Sequence, residues 1–388
     1  METGKKLRIC MVVGEEIAGP GAIIPGGIGQ YTLRYCRMLA EMGHEVTIAC
    51  YCQKEEFEFR EGGIRYAGIS GGKLPWGLYV YNWLRTQRFD VIEFPEWGGY
   101  GAYAALLLRR KFGRIITRGH GHSLWVQRVH GKPIKKGRQH VMEWLQLHFS
   151  TGILANSGFL KDLYLQDFGL RDKAVDICHI GIDRKAIGQE DREKGDYQGP
   201  VMIYVGGYDR RKGPVDLIRI LQETNLCQDA FKVRLIMVGQ DTPTGPNGMS
   251  YKEYCMQTAR ELGVYEQVDF MPATPRQQLA QIYGKASLFV SASRAETLGI
   301  PFLEAMSLGL PVVTWRTGAA PELIVDGETG YLLEYGEMSQ FAEKAVRIFK
   351  DQDLWRAFSE NAVRNVSQRF LEADVLDRQV AWYQNICG

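Results

Sequence analysis

The chain is predicted to be an α/β protein made of two similar halves, each built on a parallel sheet. Strand-like and helical hydrophobic patterns alternate along its length. A polar stretch, Arg184 to Gly199, carries charges and glycines without apolar period, and the alternation starts afresh after it. The glycine-rich and polar loops fall at the carboxyl ends of the strand patterns, where open parallel sheets bind ligands. With 388 residues, 45% of them hydrophobic, there is enough chain for two separate cores.

The first half opens with a buried-strand run, Leu7 to Val13. A glycine-rich loop, a helical pattern from Gln30 to Met42 and a strand from Glu45 to Ala49 complete a strand-helix-strand unit. Strand Asp90 to Phe94, helix Tyr100 to Lys111, strand Arg114 to Thr117, helix Gln139 to Phe149, strand Gly152 to Ala155 and helix Phe159 to Phe168 continue it. The second half reads as strand Val201 to Val205, helix Pro214 to Thr224, strand Val233 to Val238, helix Lys252 to Leu262, strand Val268 to Met271 and helix Gln277 to Tyr283. Strand Leu288 to Val290, helix Pro301 to Leu308 and strands Val312 to Trp315 and Gly330 to Leu333 follow. Domains are therefore placed at 1–184 and 200–371 with a linker at 185–199, and a final helix of about 372–388 is expected to return to the first domain. Six loops, Gly26 to Gly29, Gly119 to His122, Gly206 to Gly213, Gly239 to Gly248, Ser291 to Gly299 and Arg316 to Glu322, converge if the domains face one another across a cleft.

Charge and cysteine usage narrow the classes. Basic and acidic side chains number 47 and 45, so the net charge of +2 gives no global field for nucleic acid. Eight cysteines are scattered without a Cys-x-x-Cys pair, which reads as reduced thiols in a cytoplasmic protein. The polar start, Met1 to Arg8, reads as no signal peptide, and no apolar run reaches ~18 residues, so membrane contact is expected to be peripheral at most. Asp351-Gln352-Asp353 mimics a metal-binding Asp-x-Asp but lies between two helical patterns away from any strand end, so it reads as a helix connection, and no metal is expected.

Glu296 and Glu304 stand eight positions apart. On one continuous helix they would be about 12 Å apart along the axis, but Pro301 suits a first helical position and Gly309 a helix stop. Glu296 is then on the loop, Glu304 just inside the helix, and free N–H groups lie between them. Two acceptors flanking an anion-attracting helix start suit a ligand with both hydroxyls and a phosphate, as in a nucleotide-sugar.

These residues extend into a longer signature: Glu296, seven residues, Glu304-Ala305-Met306, two residues, Gly309-Leu310-Pro311-Val312. With Gly27-Ile28-Gly29, His120 before Gly121, Asn156-Ser157, Gly181-Ile182-Asp183, Lys212-Gly213, and Gly318 with Glu322, the chain resembles glycosyltransferase family 4 over nearly its whole length. The resemblance implies a GT-B fold, two Rossmann-like domains facing a deep interdomain cleft. It also implies retaining, metal-independent transfer from a nucleotide-sugar, with no cofactor. UDP-glucose or a similar UDP-sugar is the expected co-substrate, and a carbohydrate or lipid-linked molecule the acceptor.

The resemblance carries roles to particular residues. Lys212 is expected to bind the pyrophosphate. Glu304 is to accept from the ribose hydroxyls and Glu296 from those of the transferred sugar, since ionised carboxylates only accept. The amides of Leu298, Gly299 and Ile300, and the backbone at Gly27 and Gly29, are candidates for phosphate or sugar oxygens. His120 is expected to touch the donor sugar, with His122 as competitor. Two departures stand out. Gly207 takes the place of the family's pyrophosphate arginine, so Arg210 or Arg211 is to substitute, and Thr297 replaces the usual glycine after Glu296. On the acceptor side, Glu96 and Trp97 lie on a strand-end loop suited to sugar stacking and hydrogen bonding, while Tyr100 and Tyr103 fit packing equally well. The basic stretch Arg128 to Arg138 with Trp144 reads as a solvated face or an anionic-membrane contact. A 2-epimerase-like isomerase and a nucleotide-sugar binding protein without turnover are the alternatives, the second because of Gly207. Oligomeric state is not legible.

Overall fold

The computed structural model describes residues 5–23, 26–108, 112–170, 173–183 and 200–388, so the expected linker at 185–199 lies outside the described residues. The chain divides into two compact units, one reaching His179 and taking back Leu376–Gly388, the other Ile180–Val375.

The first unit contains β1 (Arg8–Val13), α1 (Gly27–Glu41), β2 (Glu45–Cys52), β3 (Phe57–Glu61), β4 (Ile64–Ser70), α2 (Trp76–Leu84), β5 (Val91–Pro95), α3 (Ala102–Leu107), β6 (Arg114–Arg118), α4 (Ser123–Val129), α5 (Arg138–Phe149), β7 (Gly152–Ala155), α6 (Gly158–Phe168) and β8 (Asp176–Ile177). Its eight strands run in the order β3-β4-β2-β1-β5-β6-β7-β8. All neighbours are parallel, as expected, except at one edge, where β3 pairs antiparallel with β4. The hairpin has a local signal, Gly62-Gly63 between two alternating runs, that the strand-helix reading passed over. Central strands β1 and β5 are buried almost throughout, which explains the apolar run Ile9–Val13 and leaves Glu93 of β5 as a buried carboxylate.

The second unit contains β9 (Val201–Val205), α7 (Pro214–Leu226), β10 (Arg234–Val238), α8 (Tyr251–Glu261), β11 (Val268–Met271), α9 (Arg276–Tyr283), β12 (Leu288–Ser291), α10 (Ile300–Ser307), β13 (Val312–Trp315), α11 (Ala320–Leu323), β14 (Gly330–Leu333), α12 (Met338–Lys350) and α13 (Gln352–Arg369). The order β11-β10-β9-β12-β13-β14 is all parallel and doubly wound. Its direction of winding reverses between β9 and β12, and the loops leaving those two strands carry Lys212 and Glu296. The Asp-x-Asp lookalike is a helix cap: Asp351 accepts from the Leu354 N–H at 2.9 Å at the start of α13.

A last helix, α14 (Glu372–Cys387), supplies the returning segment of the first unit. Its Gln379 and Tyr383 are fully buried and both donate to Glu93 on β5, at 3.3 and 2.5 Å, and Tyr31 of α1 donates to the same carboxylate at 3.1 Å. All eight cysteines are free thiols.

Candidate active site

Helix α10 begins at Ile300 with Pro301 in its first turn and Gly299 as N-cap. Pro301 has no N–H to leave unsatisfied, and Gly299 offers no capping side chain. Among the described residues, the N–H groups of Leu298, Gly299 and Ile300 donate to nothing. A helix start with free donors is a positive, directional feature. Glu304, the fifth residue of α10, is 7% exposed and accepts from the Tyr283 hydroxyl at 3.4 Å.

Glu296 lies on the preceding loop, 8% exposed, and its Oε1 is 2.5 Å from Lys212 Nζ. Lys212 comes from the 3-10 turn Arg210–Lys212 after β9, capped by Asp209, whose carboxylate accepts from the Arg211 N–H at 2.7 Å. The two loops are stitched together. Arg294 N–H donates to Arg211 O at 2.9 Å, the Ser293 hydroxyl lies 3.4 Å from Arg211 O, and Arg211 Nη1 reaches Ala295 O at 3.5 Å. A third loop closes against them, with Ala319 N–H donating to Glu296 O at 2.9 Å and the Thr317 hydroxyl to Ser293 O at 2.8 Å. Gly318 makes this approach possible: its φ is +57°, and a Cβ there would collide with the Glu296 backbone.

Burial pushes the Glu296 carboxyl up, yet Lys212 and Arg211 together hold it below the usual carboxylate range. Burial and Arg211 lower the Lys212 ammonium, and Glu296 opposes them. With the pair ionised, two cations face one carboxylate, a positive locus beside the free amides of α10. Such a locus stabilises charge developing on a leaving phosphate. Arg211 is the cation held next to Glu296, whereas Arg210 is exposed. Gly207 is partly buried, and its carbonyl accepts from the Tyr204 hydroxyl at 2.8 Å.

The remaining candidates belong to the first unit. His120 is half-buried after β6, with its ring edge-on to Tyr31 at 5.1 Å. Burial and the nearby Arg118 lower its imidazole to about 3, so it is neutral at physiological pH. Glu96 corrects the acceptor expectation. It is fully buried, and its carboxylate accepts from the backbone N–H of His120, at 2.7 Å, and of Gly121. It holds the histidine loop and presents no surface to an acceptor, although burial pushes its carboxyl up to about 7. His122 is corrected likewise. It is fully buried, caps α4 by accepting from Trp125 N–H at 3.3 Å, and lies 3.3 Å from Asp167. Trp97 keeps an open face on a cavity of about 260 Å³ that it shares with Glu15, Gly27, Ile28 and Tyr100. Gly27 and Gly29 are in the first turn of α1 rather than in a loop, and a residue that the sequence did not mark, Glu15, accepts from the N–H groups of Gly26 at 2.6 Å and Gly29 at 3.1 Å.

The sequence profile of Glycosyl transferases group 1 matches residues 188–365 and that of Glycosyltransferase Family 4 matches residues 25–186. D-inositol 3-phosphate glycosyltransferase of Corynebacterium diphtheriae is 30% identical over 90% of this chain and 87% of its own. The chain belongs to glycosyltransferase family 4. A second relative, D-inositol 3-phosphate glycosyltransferase 1 of Catenulispora acidiphila, is 25% identical and covers 98% of this chain and 96% of its own. Among solved structures, sucrose-phosphate synthase from Thermosynechococcus elongatus superposes with a TM-score of 0.78 at 18% identity, covering 98% and 99% of the two chains. HepE of Anabaena in complex with UDP and glucose gives a TM-score of 0.73 at 19% identity, covering 98% and 100%. At these identities the likeness concerns the fold, which is GT-B. As a family member this chain is a glycosyltransferase.

Proposed function

We propose that this glycosyltransferase uses a nucleotide-sugar, UDP-glucose or a similar UDP-sugar, and transfers the sugar with retention and without a metal to a glycan, glycolipid or small-molecule acceptor. The reaction would serve polysaccharide or glycoconjugate biosynthesis in the cytoplasm. The observation that carries the donor reading is the Lys212–Glu296 pair, set beside Arg211 and the free N-terminal amides of α10. In this reading Lys212, Arg211 and the amides of Leu298, Gly299 and Ile300 take the diphosphate, with Gly207 giving the room that the family's arginine would fill. Glu304 accepts from the ribose, Glu296 orients the transferred sugar, and neutral His120 hydrogen-bonds it. Gly27 and Gly29 approach the donor through backbone. As the bond to the sugar breaks, negative charge moves onto the diphosphate, where cations and N–H dipoles are already in place.

The test is release of UDP, GDP and ADP from a panel of nucleotide-sugars, with and without EDTA, with the anomeric configuration of the product read by NMR. UDP release that survives EDTA and gives a product of unchanged configuration is expected. Inversion, metal dependence, or a GDP- or ADP-sugar preference overturns the corresponding part. Peripheral membrane contact is proposed at the exposed residues Ile134, Val141 and Trp144 beside the basic stretch from Arg128 to Arg138. Among the described residues no helix is long and apolar enough to cross a membrane. Co-sedimentation with anionic vesicles but not neutral ones is the expected result.

A further inference from the structure

A second cavity, of about 290 Å³, opens in the first unit between α2, α5 and the 3-10 turn Trp97–Gly99 that follows β5. It adjoins the cavity beside Glu15 and Gly27, because Trp97 and Tyr100 line both.

Its walls are aromatic and fixed. Trp76 donates its indole N–H to Ile69 O at 2.9 Å and meets Tyr100 edge-to-face at 5.2 Å. Gly99 has φ +61°, and a Cβ there would overlap the Met142 backbone, so only glycine lets the turn press onto α5 and leave the opening beside it. Trp97 and Tyr103 are half-buried on the same lining. Three polar groups on the lining are uncommitted. Among the described residues the hydroxyls of Tyr100 and Tyr103 have no hydrogen-bond partner, and no carboxylate pairs with Arg138, which starts α5 and is exposed on the rim. The first turn of α5 also has no capping side chain and no acidic residue.

Aromatic faces with free hydroxyl partners bind the apolar faces and hydroxyls of a sugar ring. A free guanidinium fits an oxyanion through paired N–H donors. We propose that this cavity is the acceptor subsite and that it takes a saccharide bearing an anionic substituent, phosphate or carboxylate. The ring stacks on Trp97 between Trp76 and Tyr103, and the anion sits on Arg138. This rests on the reading that the second unit supplies the donor, and it deepens that reading by naming the acceptor class.

Titration calorimetry on the full chain, with glucose, glucose 6-phosphate, glucuronate and inorganic phosphate as probes, tests it. Expected are at least tenfold tighter binding of one or both anionic sugars than of glucose, loss of that preference in Arg138→Gln, and a roughly tenfold weakening of all sugars in Trp97→Ala. The phosphate and carboxylate arms distinguish the two substituents. Equal binding of neutral and anionic sugars, no binding of any sugar, tighter binding of phosphate alone than of its sugar ester, or a preference that survives Arg138→Gln overturns the proposal. Retained melting temperatures verify that the variants fold. UDP titrated into the same samples reads the donor site by itself, so a chain that takes up anionic sugars but not UDP counts against the donor reading alone.

Discussion

Lys212 Nζ lies 2.5 Å from Glu296 Oε1, and this contact joins the loops that leave β9 and β12. The residues are 84 positions apart in the chain. Their meeting depends on the doubly wound order, which makes β9 and β12 neighbours at the point where the direction of winding reverses. The first prediction concerns this contact. Lys212→Ala is expected to lower kcat for sugar transfer about 100- to 1,000-fold, the loss typical of one charge-stabilising contact in a transition state. It also leaves the buried Glu296 without its partner, so the effects of Lys212→Ala and Glu296→Gln should not add in a double-mutant cycle read by UDP release. A loss below tenfold, or additive losses, would reject the assignment.

Arg211 and Arg210 are neighbours with different surroundings. Arg211 reaches Ala295 O beside Glu296, and Arg210 is exposed. Arg211→Ala should raise the donor KM by about 10- to 100-fold, in keeping with ~1.5–3 kcal/mol for a hydrogen bond to a charged group. Arg210→Ala should stay within about twofold, as surface substitutions do. Equal effects would mean that the replacement for the missing arginine is not Arg211.

Acid should loosen the first unit through His122. Burial lowers its imidazole to about 4, against an unfolded value of ~6.5, although Asp167 pulls the other way. The unfolded chain therefore takes up this proton first. The stability due to His122 is complete above pH ~6.5 and lost as pH falls toward about 4, at up to ~1.4 kcal/mol per pH unit. His120 acts in the same direction and Glu96, raised to about 7, in the opposite one. Urea denaturation of wild type and His122→Asn at pH 7.5 and 5.0 isolates His122, and the variant should show the smaller acid loss. An unchanged difference would refute the buried neutral imidazole.

The returning helix should be held by the Glu93 cluster. Burial raises the Glu93 carboxyl, and the Tyr383 hydroxyl donates to it. Tyr383→Phe removes one donor from a buried acceptor at a cost of about 1–3 kcal/mol. That corresponds to a lower melting temperature for the first unit by about 2–4 °C per kcal/mol. A melting temperature within 1 °C of wild type would show that the helix is held by apolar packing alone.

The sequence by itself determined the alternation and marked residues on the loops that leave β9 and β12. Strands such as Val201–Val205, Val312–Trp315 and Gly330–Leu333 are visible because a strand buried on both faces must be apolar throughout, and Pro301 with Gly309 brackets α10 because each residue type suits one end of a helix. The family signature marked Glu296, Glu304 and Lys212. Tertiary structure alone decided what each of these side chains touches. Glu96 and His122 read as site residues because a polar residue on a strand-end loop looks the same in sequence whether it faces solvent or supports a neighbouring loop, and both prove to be buried supports. Glu15 carried no signal, since it matters only once the chain turns back to bring Gly26 and Gly29 to it, and Arg138 read only as the end of a basic stretch, since α5 starting at the rim of an aromatic cavity is a tertiary fact. Periodicity and caps are local properties of a few consecutive residues. A partner for a buried charge is set by strand order and loop packing, across separations such as the 84 residues between Lys212 and Glu296.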